Sequence, residues 1–161
     1  TTILGVDISR EALAIGGRAH PDLALAVASL YRLPLSNGSI DLLTEIFSPF
    51  CREEYVRVLR PRGKMIMVIP GARHLFGLKE VLYAEPYENE LADTHLEGFC
   101  LLEEQSIEAR ITLKNETDLW NLFTMAPYFY RTSPADKEKL RAHAPLETEI
   151  SFKILTYEKA E

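Results

Sequence analysis

Few residues in this chain have the type and spacing to do chemistry, and the clearest is Asp7. It closes the apolar run of ILGVDISR, residues 3–10. An acid at the carboxyl end of a buried parallel strand is where open α/β sheets hold the hydroxyls of a nucleotide ribose. The competing role is local, as an acid beside the helix N-cap that Ser9 would supply. The four histidines, His20, His74, His95 and His143, show neither HxxxH nor HExxH spacing. Cys51 and Cys100 lie far apart with no CxxC pair, so they read as reduced thiols of a cytoplasmic protein. No metal site and no disulfide is expected within the chain.

Asp7 needs a strand before it and a helix after it, and the pattern supplies both. SREALAIGGRAH reads as a helix capped by Ser9, with Glu11 in its positive first turn, Gly16 and Gly17 weakening its end and Pro21 marking the exit. Leu23 to Ala28 and Ile40 to Phe47 read as further strands, separated by RLPL and the turn Ser36-Asn37-Gly38-Ser39. Tyr55, Val56 and Leu59 give helical spacing over Glu53 to Leu59, and Pro61-Arg62-Gly63 is expected to stop that helix. Lys64 to Ile69 reads as a buried strand and Leu75 to Ala84 as a helix, a rhythm that argues for a parallel sheet.

The rhythm then changes. Ile107, Ala109, Ile111 and Leu113 alternate with polar residues, as do Ile150, Phe152 and Ile154, which predicts an antiparallel pair at a sheet edge. Between them lie an amphipathic helix, Glu116 to Met125, and another capped by Ser133 with Pro134 at its first position. Trp120 reads as core, and the glutamates between Glu85 and Glu97 as a solvated face.

A chain of 161 residues with 47% apolar content has room for one domain with a core. No stretch reaches the eighteen or so apolar residues of a membrane span, and no charged-then-apolar leader opens the chain. A net charge of −6 gives no bulk electrostatic footprint for nucleic acid. An RNA partner would need its attraction supplied largely by another segment.

The order of these features resembles the second half of the S-adenosylmethionine-dependent class I methyltransferases: an acid ending a strand, an LPL segment leading to SIDLL, a helix ending VLRPRGK, a buried strand, and a final antiparallel pair. The resemblance narrows on Val27-Ala28-Ser29, Arg32-Leu33-Pro34, the loop Pro70 to Leu75 with Leu78-Lys79, Leu96 to Phe99, and Met125 to Tyr128. Together these are similar to the 23S ribosomal RNA guanine-N1 methyltransferases over nearly the whole chain. The resemblance implies an α/β, Rossmann-like, mostly parallel sheet with a C-terminal antiparallel pair, lacking its first strand and glycine-rich loop. Residues 1–161 are then the C-terminal portion of a catalytic domain truncated at the N-terminus, and this piece by itself is expected to be inactive. A zinc module is expected only in the missing N-terminal segment. The missing strand would lie between the Asp7 strand and the Ile40 strand, and the two unpaired edges would favour self-association.

The same resemblance assigns sites. S-adenosylmethionine is the implied cofactor, with Asp7 and Ile8 at its ribose and Ser29 and Leu30 near the adenine. Ser29 departs from the aspartate that many members carry and would make a weaker contact. The loop Phe47-Ser48-Pro49-Phe50 would face the methyl group and a guanine drawn from the RNA stack. Phe47, Ser48, Pro49 and His74 are the catalytic candidates. Glu45 shares with His74 the candidacy for proton acceptor. Phe50, Arg73, Tyr128 and Tyr130 are candidate contacts to 23S ribosomal RNA. Two other classes stay open: an NAD-type enzyme, since the same acid serves a nicotinamide cofactor, and an interaction module that keeps the fold without activity.

Overall fold

The computed structural model describes residues 2–160. They divide into two compact units, one of residues 2–67, 95–102 and 156–160 and one of residues 68–94 and 103–155.

The first unit opens with β1 (Leu4–Asp7), α1 (Arg10–Ala19) and β2 (Ala24–Val27). Ser9 caps α1 by accepting the Ala12 N–H at 3.1 Å, with Glu11 in the first turn and Arg18 in the last, as the helix dipole favours. β1 and β2 pair in parallel, Leu4 opposite Ala24 and Asp7 opposite Val27, and form a two-stranded sheet of their own. Gly16 and Gly17 were expected only to weaken the helix. Both lie inside it, on the side facing β2, where an added Cβ would stand 3.7 and 3.6 Å from the Leu25 side chain, an ordinary contact.

β3 (Ile40–Ile46) and α2 (Arg52–Val58) come next, with Tyr55 and Val58 buried. Here the expectation of a turn at Pro61-Arg62-Gly63 needs correction. β4 runs from Leu59 to Pro70, directly out of the helix and through those three residues, with Arg62 in the left-handed region at φ 59°. The helix itself ends within one residue of the expected Leu59, and Lys159 caps it. Its Nζ donates to the carbonyls of Val56 at 2.6 Å and Leu59 at 2.8 Å, which satisfies terminal acceptors and complements the negative end of the helix dipole.

In the second unit α3 (Phe76–Leu82), α4 (Glu116–Met125), a 3₁₀ turn (Phe129–Arg131) and α5 (Pro134–Arg141) surround one apolar cluster. Leu75, Leu78, Val81, Leu82, Leu113, Leu119, Phe123 and Leu140 are all buried in it. Asn115 and Ser133 cap α4 and α5 through their side chains, to the N–H groups of Asp118 and Asp136. Trp120, expected as core, is half-buried, with the Arg141 guanidinium 3.8 Å from its ring centre.

β5 (Phe99–Leu113) and β6 (Leu146–Lys159) are much longer than the alternating segments predicted. The four-stranded sheet has the order β3-β4-β6-β5, so the expected pair are neighbours and β5 is an edge. The apolar phase of β5 is largely uncovered, with Ile107 and Ala109 exposed and only its two ends, Phe99 and Leu113, buried. β6 is central, and its most buried positions are Thr148, Ser151, Leu155 and Tyr157 rather than Ile150, Phe152 and Ile154. Period-two alternation predicts one covered face, whereas β6 is buried at positions of both phases. Among the described residues β1 pairs only with β2 and β3 only with β4, so each keeps one unpaired edge. Both cysteines are free thiols, and among the described residues no helix is long and apolar enough to cross a membrane.

Candidate functional site

The candidate residues fall into two groups, one in each unit. In the first, Asp7 and Val27 stand side by side in register at the carboxyl ends of β1 and β2. The Asp7 carboxylate is exposed, and its Oδ1 accepts the Ser9 N–H at 2.7 Å. The local role is therefore real and leaves the group presented at the strand end. Ile8 is next, an apolar side chain 76% exposed. From β2 the backbone leads through Ala28, whose N–H is held by the Asp7 carbonyl at 3.1 Å, to half-buried Ser29 and Leu30. Ser29 Oγ accepts the Tyr31 N–H at 3.2 Å and shapes that exit as a turn.

The segment beyond this exit, Leu33 to Leu35, is held by an ion pair that sequence reasoning missed. Arg57 of α2 donates to the carbonyls of Leu35 at 2.6 Å and Leu33 at 3.1 Å, while Glu54 accepts the Leu33 N–H at 2.7 Å. Glu54 and Arg57 also meet each other at 2.7 Å, and the guanidinium, with the Leu33 N–H, holds the Glu54 carboxyl down to about 2. The only signal in the sequence was an acid and an arginine three apart on one helix.

At the carboxyl end of β3 the Phe47–Phe50 loop is built around Glu45. Glu45 is 3% exposed. Its Oε1 accepts the Ser48 N–H at 2.9 Å and the Ser48 hydroxyl at 2.8 Å, and its Oε2 is buried with no hydrogen-bond partner. Burial pushes this carboxyl up from its ordinary value against the pull of the two Ser48 bonds. Tyr55 also hydrogen-bonds Ser48, and burial together with the Glu45 charge pushes its phenol up to about 12. Phe47 is exposed and sits in the left-handed region at φ 52°, a conformation that costs a non-glycine residue about 1–2 kcal/mol. Pro49 is exposed, and Phe50 turns inward with its ring 5.6 Å from Tyr55 and 5.9 Å from Phe99.

The second group lies in the other unit. Arg73 is engaged by Glu88 at 3.2 Å and Glu149 at 3.0 Å and lies over the Phe76 ring. Clefts beside it are lined by Arg110 and by Glu80, Glu108, Glu147 and Glu149, an excess of acid that disfavours phosphate. Glu88 stays on the solvated face expected and also joins this surface ion pair. His74 Nδ1 accepts the Ser151 N–H at a long 3.4 Å, and its ring packs on Phe152. Burial, with the Lys79 charge, lowers its basicity. Tyr128 is packed on Phe123 with its hydroxyl buried and its pKa raised by burial, whereas Tyr130 is 85% exposed. Sequence reasoning also passed over Lys79, which is 1% exposed and held by the Tyr87 carbonyl at 3.0 Å and Asn89 Oδ1 at 2.7 Å. Asn89 in turn donates to the carbonyls of Gly71 and His74.

No family model matches the chain. It is 32% identical over 137 residues to a Micromonospora griseorubida protein provisionally named as a 23S rRNA guanine-N1 methyltransferase, covering 82% of this chain and 46% of that one. It is 26% identical over 154 residues to the Streptomyces fradiae 23S rRNA (guanine(748)-N(1))-methyltransferase, covering 92% and 55%. The chain thus spans about half the length of the curated relatives it matches. Among solved structures, an S-adenosylmethionine-dependent methyltransferase of Mesorhizobium loti superposes with a TM-score of 0.53 at 15% identity, covering 98% of this chain and 80% of that one. The cyclase SpnF does so with 0.57 at 17%, covering 99% and 66%. A fold shared with a cyclase does not by itself choose a reaction. The chain has the fold of the class I S-adenosylmethionine-dependent methyltransferases, and its curated relatives are named as guanine-N1 methyltransferases of 23S ribosomal RNA.

Proposed function

We propose that this chain forms part of an enzyme that transfers a methyl group from S-adenosylmethionine to guanine N1 of 23S ribosomal RNA. The observation that carries the reading is the carboxyl end of the β1–β2 pair. An exposed carboxylate, Asp7, is there set in register beside Val27, with the exposed apolar Ile8 next to it. Those residues fit an adenosine: a carboxylate for the ribose hydroxyls, an apolar surface for the purine, and Ser29 and Leu30 at the strand exit beside them. When bound, the cofactor supplies an electrophilic methyl group. The chain's own part is to hold the adenosine at Asp7 and to present the Phe47–Phe50 loop, at another strand's carboxyl end, to the base. The substrate class comes from the names of the relatives.

Calorimetry tests the cofactor half of this reading. The chain is expected to bind S-adenosylmethionine in preference to NAD, and Asp7→Ala is expected to weaken binding at least about 10-fold, the loss of a charge-assisted contact. Preference for NAD, or a D7A variant that binds as tightly as the parent, overturns it.

A further inference from the structure

Methylation at guanine N1 requires the N1 proton to leave, and the chain offers two titratable candidates to receive it. His74 is poorly placed by its own bonding. With Nδ1 accepting from Ser151, the neutral ring carries its hydrogen on Nε2, so that nitrogen is a donor. Glu45 is the opposite case. One oxygen already takes two hydrogen bonds, the other is buried with none, and the anion is under-stabilised relative to an exposed glutamate. Such a carboxylate is a stronger base than usual, and it is sealed from water. Its connection outward is Ser48, half-buried, whose hydroxyl donates to Glu45 at 2.8 Å. Strain at Phe47 and the inward anchoring of Phe50 fix Ser48 at the mouth of this path, outside the carboxyl end of β3, where open α/β sheets bind their ligands. Tyr55 holds the same serine from behind.

We propose that Ser48 and Glu45 form the proton relay of the methyl transfer, an assignment that rests on the guanine-N1 reading. As N1 takes up the methyl group, the N1–H bond breaks and its proton passes to Ser48 Oγ, while the proton that Ser48 held passes to Glu45. The electron pair of the former N–H bond forms the new N–C bond, and the pair of the broken S–C bond stays on sulfur. The cofactor loses its positive charge and Glu45 its negative one. Ser48 is the catalytic residue, and Glu45 acts through it.

Two measurements test the relay. In the ligand-free chain with ¹³C-labelled glutamate carboxyls, Glu45 is expected to titrate above the range of the other glutamates and to move higher in Ser48→Ala, which loses one stabilising bond. In the native gene product, Ser48→Ala and Glu45→Gln are each expected to slow single-turnover methyl transfer about 100-fold at neutral pH with RNA affinity unchanged. The deficit should shrink at alkaline pH, where solvent itself removes the N1 proton. Ser48→Thr keeps the hydroxyl and should keep most of the rate, and melting curves check that each variant is folded. A Glu45 that titrates with the exposed glutamates, variants as fast as the parent, or a deficit equal at every pH overturns the relay and leaves the methyl-transfer reading standing. A parent protein that transfers no methyl group to guanine overturns that reading, and the relay with it.

Discussion

The first 28 residues and the α3–α5 region use similar amino acids and reach opposite states. β1, α1 and β2 contain no buried residue, and Ile3, Ile8, Ile15 and Val27 are all exposed, although the helix is capped and the strands are in register. Around α3, α4 and α5, leucines and a phenylalanine of comparable apolarity close into a cluster with several members fully buried. Capping and pairing therefore set local form in both regions, while burial distinguishes them. Stability follows apolar area removed from water, so the Asp7 segment belongs to the low end of the local stability range.

The most direct way to break this comparison is to cut one side chain from each region. Phe123→Ala, at a fully buried ring packed on Trp120 and Phe129, is expected to cost about 3–5 kcal/mol. Leu25→Ala, at a half-buried position under α1, is expected to cost about 1 kcal/mol. Urea unfolding tracked by tryptophan fluorescence and by amide signals of β1 and β2 would read both, and equal losses would refute the contrast.

Acid sharpens it next. Because Arg57 holds the Glu54 carboxyl down at about 2, below its ordinary 4.5, the clamp on Leu33 and Leu35 contributes fully above the ordinary value. That contribution is lost as pH falls toward 2. The amide signals of Leu33 and of Gly38, whose N–H is held by the Arg57 carbonyl at 2.8 Å, should move in that window, and Glu54→Gln should remove the dependence.

The smallest expected effect concerns the open edges of β1 and β3. Their free backbone groups and the exposed Leu42 and Ile46 suit pairing with a second copy of this chain, so sedimentation should show association that rises with concentration. Leu42→Lys with Ile46→Lys should suppress it, and a parent that stays monomeric at every concentration refutes it.

Much of the fold was legible because its signals are local. Ser9 and Ser133 announce helices whatever surrounds them, and the run ending at Asp7 announces its strand. The cap of α2 was not legible, because it comes from Lys159, a hundred residues downstream. The extent and faces of β5 and β6 were hidden for a related reason: edge or centre depends on the neighbours. In the site, the position of Asp7 could be read from its strand, but the burial of Glu45 could not. Nothing in IDLLTEIF distinguishes an acid facing the core from one facing water, and nothing beside Arg73 in the sequence announces its ion pairs with Glu88 and Glu149.

Lys79 carries a consequence of a different kind. Its ammonium is enclosed by the Tyr87 carbonyl, Asn89 and the Tyr87 ring, so in the closed protein it is withheld from amine-directed reagents and from trypsin. Exposed lysines such as Lys64 and Lys114 would be acylated at once, whereas Lys79 would react only when the segment carrying Tyr87 and Asn89 lifts away. Its labelling rate is therefore a clock for that opening, written into the chain without any added probe.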